Sequence, residues 1–125
     1  MIIINFKNYK IGSESLHLAG KIEKHLPDAI VAVNAIDLHL ISFYHSKMQV
    51  FAQHIDFVDG NRGTGFLPVK ALKIHNLKGS LLNHSEHPLT FSVIKKTVEE
   101  MKKEKLKVIL CAANLKDAKR FISLK

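Results

Sequence analysis

Two short polar sets hold the residues of this chain best suited to chemistry. Asn83-His84-Ser85-Glu86-His87 follows the apolar pair Leu81-Leu82, and Asn5-Phe6-Lys7 follows Ile2-Ile3-Ile4. An imidazole polarises a carbonyl or moves a proton near neutral pH. An ammonium offers a compact positive charge to a phosphate or to an oxygen that becomes negative during a reaction. An amide and a carboxylate beside them can orient both. Each set sits where a buried strand would run out, and in parallel α/β folds the C-terminal ends of the strands carry ligands and catalytic groups. The two sets are therefore expected at one mouth.

The elements that would position them recur along the chain. Continuous apolar runs at Ile2–Asn5, Ala29–Val33, Gln49–Ala52, Ser80–Leu82 and Val108–Leu110 read as buried strands. Between them, Leu16, Leu18, Ala19, Ile22 and Leu26 fall at helical spacing behind Ser13 or Ser15 as N-cap. A second helical pattern covers Ile36 to Tyr44. Pro68 suits the first turn of a third helix running to about His75, and Pro88 that of a long amphipathic one through Ile94, Val98 and Met101. Leu115 to Ile122 begins a last helix. Regular alternation with fully apolar strands predicts βαβ units on a parallel sheet covered by helices. Asn5-Phe6-Lys7-Asn8-Tyr9 is not the glycine-rich turn of a dinucleotide fold, and no linker divides the 125 residues, so a single domain over 1–125 is expected.

Composition narrows the function classes. Apolar residues make up 46% of the chain, enough for a core, and no apolar run approaches the length that spans a membrane. No signal peptide is read at the N-terminus. The single cysteine, Cys111, leaves no internal disulfide framework and fits the cytoplasm. A net charge of +8 favours anionic partners, yet the densest basic run, Lys95 to Lys107, is broken by Glu99, Glu100 and Glu104 and has no interleaved aromatic residues. It reads as a solvated helix face, so neither nucleic acid nor membrane is expected as a partner. There are eight histidines, but no Cys/His cluster has zinc spacing. No metal and no cofactor are expected. His17, His25, His39, His45 and His75 read as surface or packing residues, and Cys111 as a small apolar one.

Five motifs in order resemble the triosephosphate isomerase family in its shorter archaeal form. They are Asn5-Phe6-Lys7 after the first strand, Phe51-Ala52-Gln53-His54-Ile55-Asp56 after the third, and Gly63-Thr64-Gly65 in the following loop. Gly79-Ser80-Leu81-Leu82-Asn83-His84-Ser85-Glu86 at the fourth strand and Val108-Ile109-Leu110-Cys111 at the fifth complete the set. The resemblance implies a (β/α)8 TIM barrel, of which about five βα units are present, and interconversion of dihydroxyacetone phosphate and glyceraldehyde 3-phosphate in glycolysis and gluconeogenesis. By the same resemblance His84 is a neutral electrophile, placed before a helix N-terminus, and Lys7 the cation facing the phosphate and the developing enediolate. Asn5 binds near the reacting oxygens, Glu86 holds Lys7, and Ser85 supports them. Thr64 crosses a dimer interface toward the partner subunit's Asn5 and Lys7. One departure is Asn34, where the family usually has proline.

The family's general base, a glutamate after the sixth strand, has no counterpart here, nor do its lid and phosphate loops. The expectation is an N-terminal portion ending within the fifth helix, inactive alone, that forms a homo-oligomer or joins a complementing C-terminal chain. The alternative is a non-catalytic remnant or split-enzyme piece that binds a phosphorylated ligand or another chain. Five strands also leave two edges unpaired, with the layer that would fill a barrel facing water.

Overall fold

Residues 1–124 are described in the computed structural model. Five βα units follow one another: β1 (Ile3–Asn5), α1 (Ser13–His25), β2 (Ile30–Val33), α2 (Leu38–Tyr44), β3 (Gln49–Ala52), α3 (Val69–Ile74), β4 (Gly79–Leu82), α4 (Phe91–Lys103), β5 (Lys107–Leu110) and α5 (Leu115–Ile122). The strands pair in parallel in the order β1-β2-β3-β4-β5. Each strand lies beside the next in the chain, with no reversal of order. A doubly wound sheet would show such a reversal, and a barrel wall does not. The fold is half of a parallel (β/α)8 barrel.

The strict two-residue period of the strands sorts their side chains. Val31, Val33, Val50, Ala52 and Leu82 point to the helices and join Ile22, Ile41, Leu72, Ile94 and Met101 in the main core. Ile30, Ala32, Phe51 and Leu81 form a second cluster on the opposite, concave face, with Ile109 against it. These four are at most 4% exposed. The expectation that the concave layer faces water is thus corrected. The wall curves tightly enough for its own side chains to cover one another, and below them Lys107 Nζ donates to Gln49 Oε1 at 2.9 Å. Water reaches the edges instead: Ile3 is 38% exposed, and Val108, Ile109 and Leu110 are half-buried.

Gly79 makes that layer possible. A Cβ there would lie 2.7 Å from the Phe51 ring and against the Lys107 carbonyl oxygen. Gly79→Ala is therefore expected to destabilise the chain by about 1–3 kcal/mol through overpacking, read as an earlier midpoint in a denaturant melt.

Three helix starts differ from those the spacing predicts. Helix α2 begins at Leu38 rather than Ile36, with Asp37 as its N-cap. Neither Ser13 nor Ser15 caps α1: Gly12 holds the N-cap with φ 61°, its N–H donating to Asp37 Oδ2 at 2.9 Å, and Ser15 is buried. Pro88 does not open α4. Thr90 does, its hydroxyl accepting from the Val93 N–H, because Asn83 Oδ1 takes the Leu89 N–H at 2.8 Å and holds the preceding segment as a loop. Asn34, the departure from proline, makes a turn of its own, accepting from the Ile36 N–H and donating to Asn8 Oδ1.

Candidate active site

At the C-terminal end of the strands lies an open hollow of about 510 Å³ lined by Asn5, Lys7, Asn8, Tyr9, Gln53, His54, His84, Glu86 and His87. The two polar sets thus meet, although they are far apart in sequence. Lys7 Nζ donates to Glu86 Oε1 at 2.9 Å. That bond, more than the opposite charge alone, raises the Lys7 pKa and holds the Glu86 carboxyl below the ordinary glutamate range. The pair is too exposed to add much stability, so its consequence is positional.

The backbone that presents Lys7 is strained. Lys7 has φ 48°, a left-handed conformation that costs a non-glycine residue roughly 1–2 kcal/mol. Two side chains hold it there. Asn5 Oδ1 accepts the Lys7 N–H at 2.9 Å, and Gln53 Nε2 donates to the Lys7 carbonyl oxygen at 2.9 Å. Constraint from both sides is how such strain persists at a site. Gln53 belongs to the motif Phe51 to Asp56, whose resemblance implies no role for it. Its position just past β3, in step with Phe51 on the concave face, is the signal that could have found it.

The loop after β4 is built in the same way. Asn83, at φ 60°, donates through Nδ2 to the Cys111 carbonyl oxygen at 2.9 Å, tying the loop to the end of β5. The chain then turns back, the His87 N–H donating to the His84 carbonyl oxygen, and the Glu86 N–H reaches His84 Nδ1 at 3.2 Å. A ring nitrogen that accepts a backbone N–H carries no proton, which leaves the proton of the neutral ring on Nε2. The expectation that His84 sits before a helix N-terminus is corrected here. Helix α4 begins only at Phe91, and a backbone amide within the turn stands in its place.

Beside His84, the His87 and His54 rings stack with centroids 3.7 Å apart, and His54 Nε2 lies 3.2 Å from Asp56 Oδ1. Burial lowers the His54 pKa from 6.5, outweighing the Asp56 hydrogen bond. A lowered imidazole pKa favours the neutral ring in the folded state, so its contribution to stability is full above 6.5 and is lost as the pH falls toward the lower value. The denaturant midpoint is expected to drop from about pH 8 to about pH 5, and His54→Gln is expected to flatten that slope.

Not every predicted residue joins the hollow. Ser85 is exposed between His84 and Glu86 and does not line it. Thr64 is exposed at the far side of the loop from Asp56 to Leu67, whose base is closed by the Asp56 N–H on the Leu67 carbonyl oxygen and the Leu67 N–H on Asp56 Oδ2. Burial raises the Cys111 pKa, which leaves little thiolate for nucleophilic work. Among the described residues no cluster of three or more histidine, cysteine or acidic side chains could hold a metal, and no helix is long and apolar enough to cross a membrane.

The family model of triosephosphate isomerase matches residues 1–122. The chain belongs to the triosephosphate isomerase family. Among its relatives, the triosephosphate isomerase of Methanothermus fervidus is 35% identical over 121 residues, covering 92% of this chain and 54% of that protein. That of Methanocaldococcus jannaschii is 30% identical over 130 residues, 99% of this chain and 59% of the other. The chain spans little more than half the length of these relatives. The crystal structure of triosephosphate isomerase from Bartonella henselae superimposes on it with a TM-score of 0.82 at 18% identity, covering 98% of this chain and 59% of that one. That likeness supports the half-barrel as a fold of the family.

Proposed function

We propose that this chain supplies the Asn5, Lys7 and His84 half of a triosephosphate isomerase site, which interconverts dihydroxyacetone phosphate and glyceraldehyde 3-phosphate in the glycolysis and gluconeogenesis of the cytoplasm. The carrying observation is the hydrogen bond from the Glu86 N–H to His84 Nδ1. It leaves Nε2–H as a neutral donor for a carbonyl oxygen that becomes an enediolate oxygen. Lys7, held by Glu86 and by its clamped backbone, places an ammonium where that charge and the substrate phosphate can share it. Asn5 fixes Lys7 rather than reacting. Thr64, on an exposed loop, is the residue offered to a second copy of the chain.

Proton removal next to the carbonyl needs a base within hydrogen-bond reach. Glu86 is the one carboxylate among the residues lining the hollow, and Lys7 occupies it. The base is accordingly proposed to come from outside residues 1–124, and this chain is expected to be inactive alone. A second reading, a module that binds a phosphorylated ligand or a complementing chain without turnover, draws on the groove of about 480 Å³ beside β5, lined by Val108, Leu110, Ala118 and Phe121 among others. A chimera separates the two: residues 1–122 of this chain replace the matching stretch of the Methanothermus fervidus isomerase. The proposal expects isomerisation in a coupled assay. A cooperatively folded chimera without turnover contradicts it and favours the second reading.

A further inference from the structure

The opposite end of the sheet carries a second polar concavity, of about 370 Å³, under the N-terminal ends of β3, β4 and β5. Four lysines line it: Lys47 before β3, Lys78 before β4, Lys105 before β5 and Lys107 at its first residue. No carboxylate does. Among the described residues none of the four makes an ion pair, whereas Lys7, Lys10, Lys73 and Lys95 each do. Glu104, next in sequence to Lys105, is turned away to Lys73 at 2.6 Å. The hydrogen bonds that do form leave the charge in place: Lys78 Nζ donates to the neutral Asn76 Oδ1 at 3.0 Å, and Lys107 Nζ to the neutral Gln49 Oε1. The wall behind them includes the buried Met48 and Leu77, an apolar backing that focuses the field outward.

Four lysines at one hollow, none of them in an ion pair among the described residues, leave their positive charge uncompensated, and a multiply charged anion relieves it. Backbone donors add little. The Lys78 N–H is taken by the Val50 carbonyl oxygen, and the Lys107 N–H by the Lys78 carbonyl oxygen. Recognition thus falls to ammonium groups, each a point charge with three donors on a flexible stem, which suits phosphate oxygens without demanding one geometry. We propose that this concavity is an anion site for a diphosphate group, either inorganic diphosphate or the diphosphate end of a small metabolite.

Titration of the 125-residue chain with inorganic pyrophosphate, followed by calorimetry, tests it. Saturable binding is expected that orthophosphate matches only at higher concentration, and that sodium chloride of equal ionic strength does not reproduce. The pair Lys47→Gln and Lys107→Gln is expected to weaken it about tenfold or more, the loss of charge-assisted contacts. The pair Lys116→Gln and Lys119→Gln, which removes the same charge from exposed positions of α5, is expected to leave it unchanged. Should the first pair fail to fold, Lys105→Asn serves in its place, since asparagine tolerates the φ of 59° at that position. Adenosine diphosphate separates the sources: affinity equal to pyrophosphate assigns the bound diphosphate end, and no affinity assigns the free ion. Equal weakening by both lysine pairs, or no saturable binding, overturns the proposal.

Discussion

In the chimera, His84→Gln is expected to lower kcat by about 10²–10⁴-fold, the usual contribution of a positioned proton-donating or proton-accepting group. KM and the denaturant midpoint are expected to move little. The imidazole is only half-buried, and its one hydrogen bond in the structure, from the Glu86 N–H to Nδ1, can be taken over by the glutamine carbonyl. What glutamine does not reproduce is a ring N–H on the far side of that contact, on a residue that lines the hollow. An interaction made with the transition state alone lowers kcat and kcat/KM together. A variant that lost KM and kept kcat would make His84 a binding residue. Steady-state kinetics of the two proteins side by side decides it.

On its own, the 125-residue chain is expected to give no turnover of dihydroxyacetone phosphate above the uncatalysed rate. The hollow offers three imidazoles and one carboxylate, and Glu86, His84 and His54 are each engaged through a polar atom. Glu86 is bonded to Lys7, and that bond lowers its pKa, so it is a weaker base than an ordinary glutamate. His84 accepts through Nδ1 and His54 is tied to Asp56, while His87 stacks on His54. The loss of a general base alone commonly costs ~10²–10⁴-fold. A coupled assay with purified chain gives the answer. Turnover that disappears in His84→Ala would mean that the groups already at this mouth suffice.

Much of this was legible in the sequence because period and punctuation agree. The strand Gln49–Ala52 has the bounds that its pattern predicts, the last helix starts at Leu115 as its pattern predicts, and the other strands agree to within a residue. The convergence of Lys7 and His84 followed from their places just past two apolar runs. Helix starts were less legible, since several residues compete for each cap. Gly12 displaced Ser13 because a carboxylate from another loop, Asp37, serves its N–H, and Thr90 displaced Pro88 because Asn83 holds the segment before it. The role of Gln53 was hidden for a related reason: its partner is a carbonyl made available only by the left-handed turn at Lys7, and residue type does not announce such a turn at a lysine. The burial of Phe51 and Leu81 on the concave face came from curvature, which one strand's pattern does not encode.

The most direct test of the central claim is the tautomer of His84, read from the ¹⁵N shifts of its ring in the chimera at about pH 8, where an ordinary histidine is neutral. The expected result is a bare Nδ1 and a protonated Nε2, with the Nε2 signal moving when dihydroxyacetone phosphate is added and not moving in the Lys7→Ala variant. A proton on Nδ1, or an Nε2 signal indifferent to the triose phosphate, would contradict the reading of this mouth as half of an isomerase site.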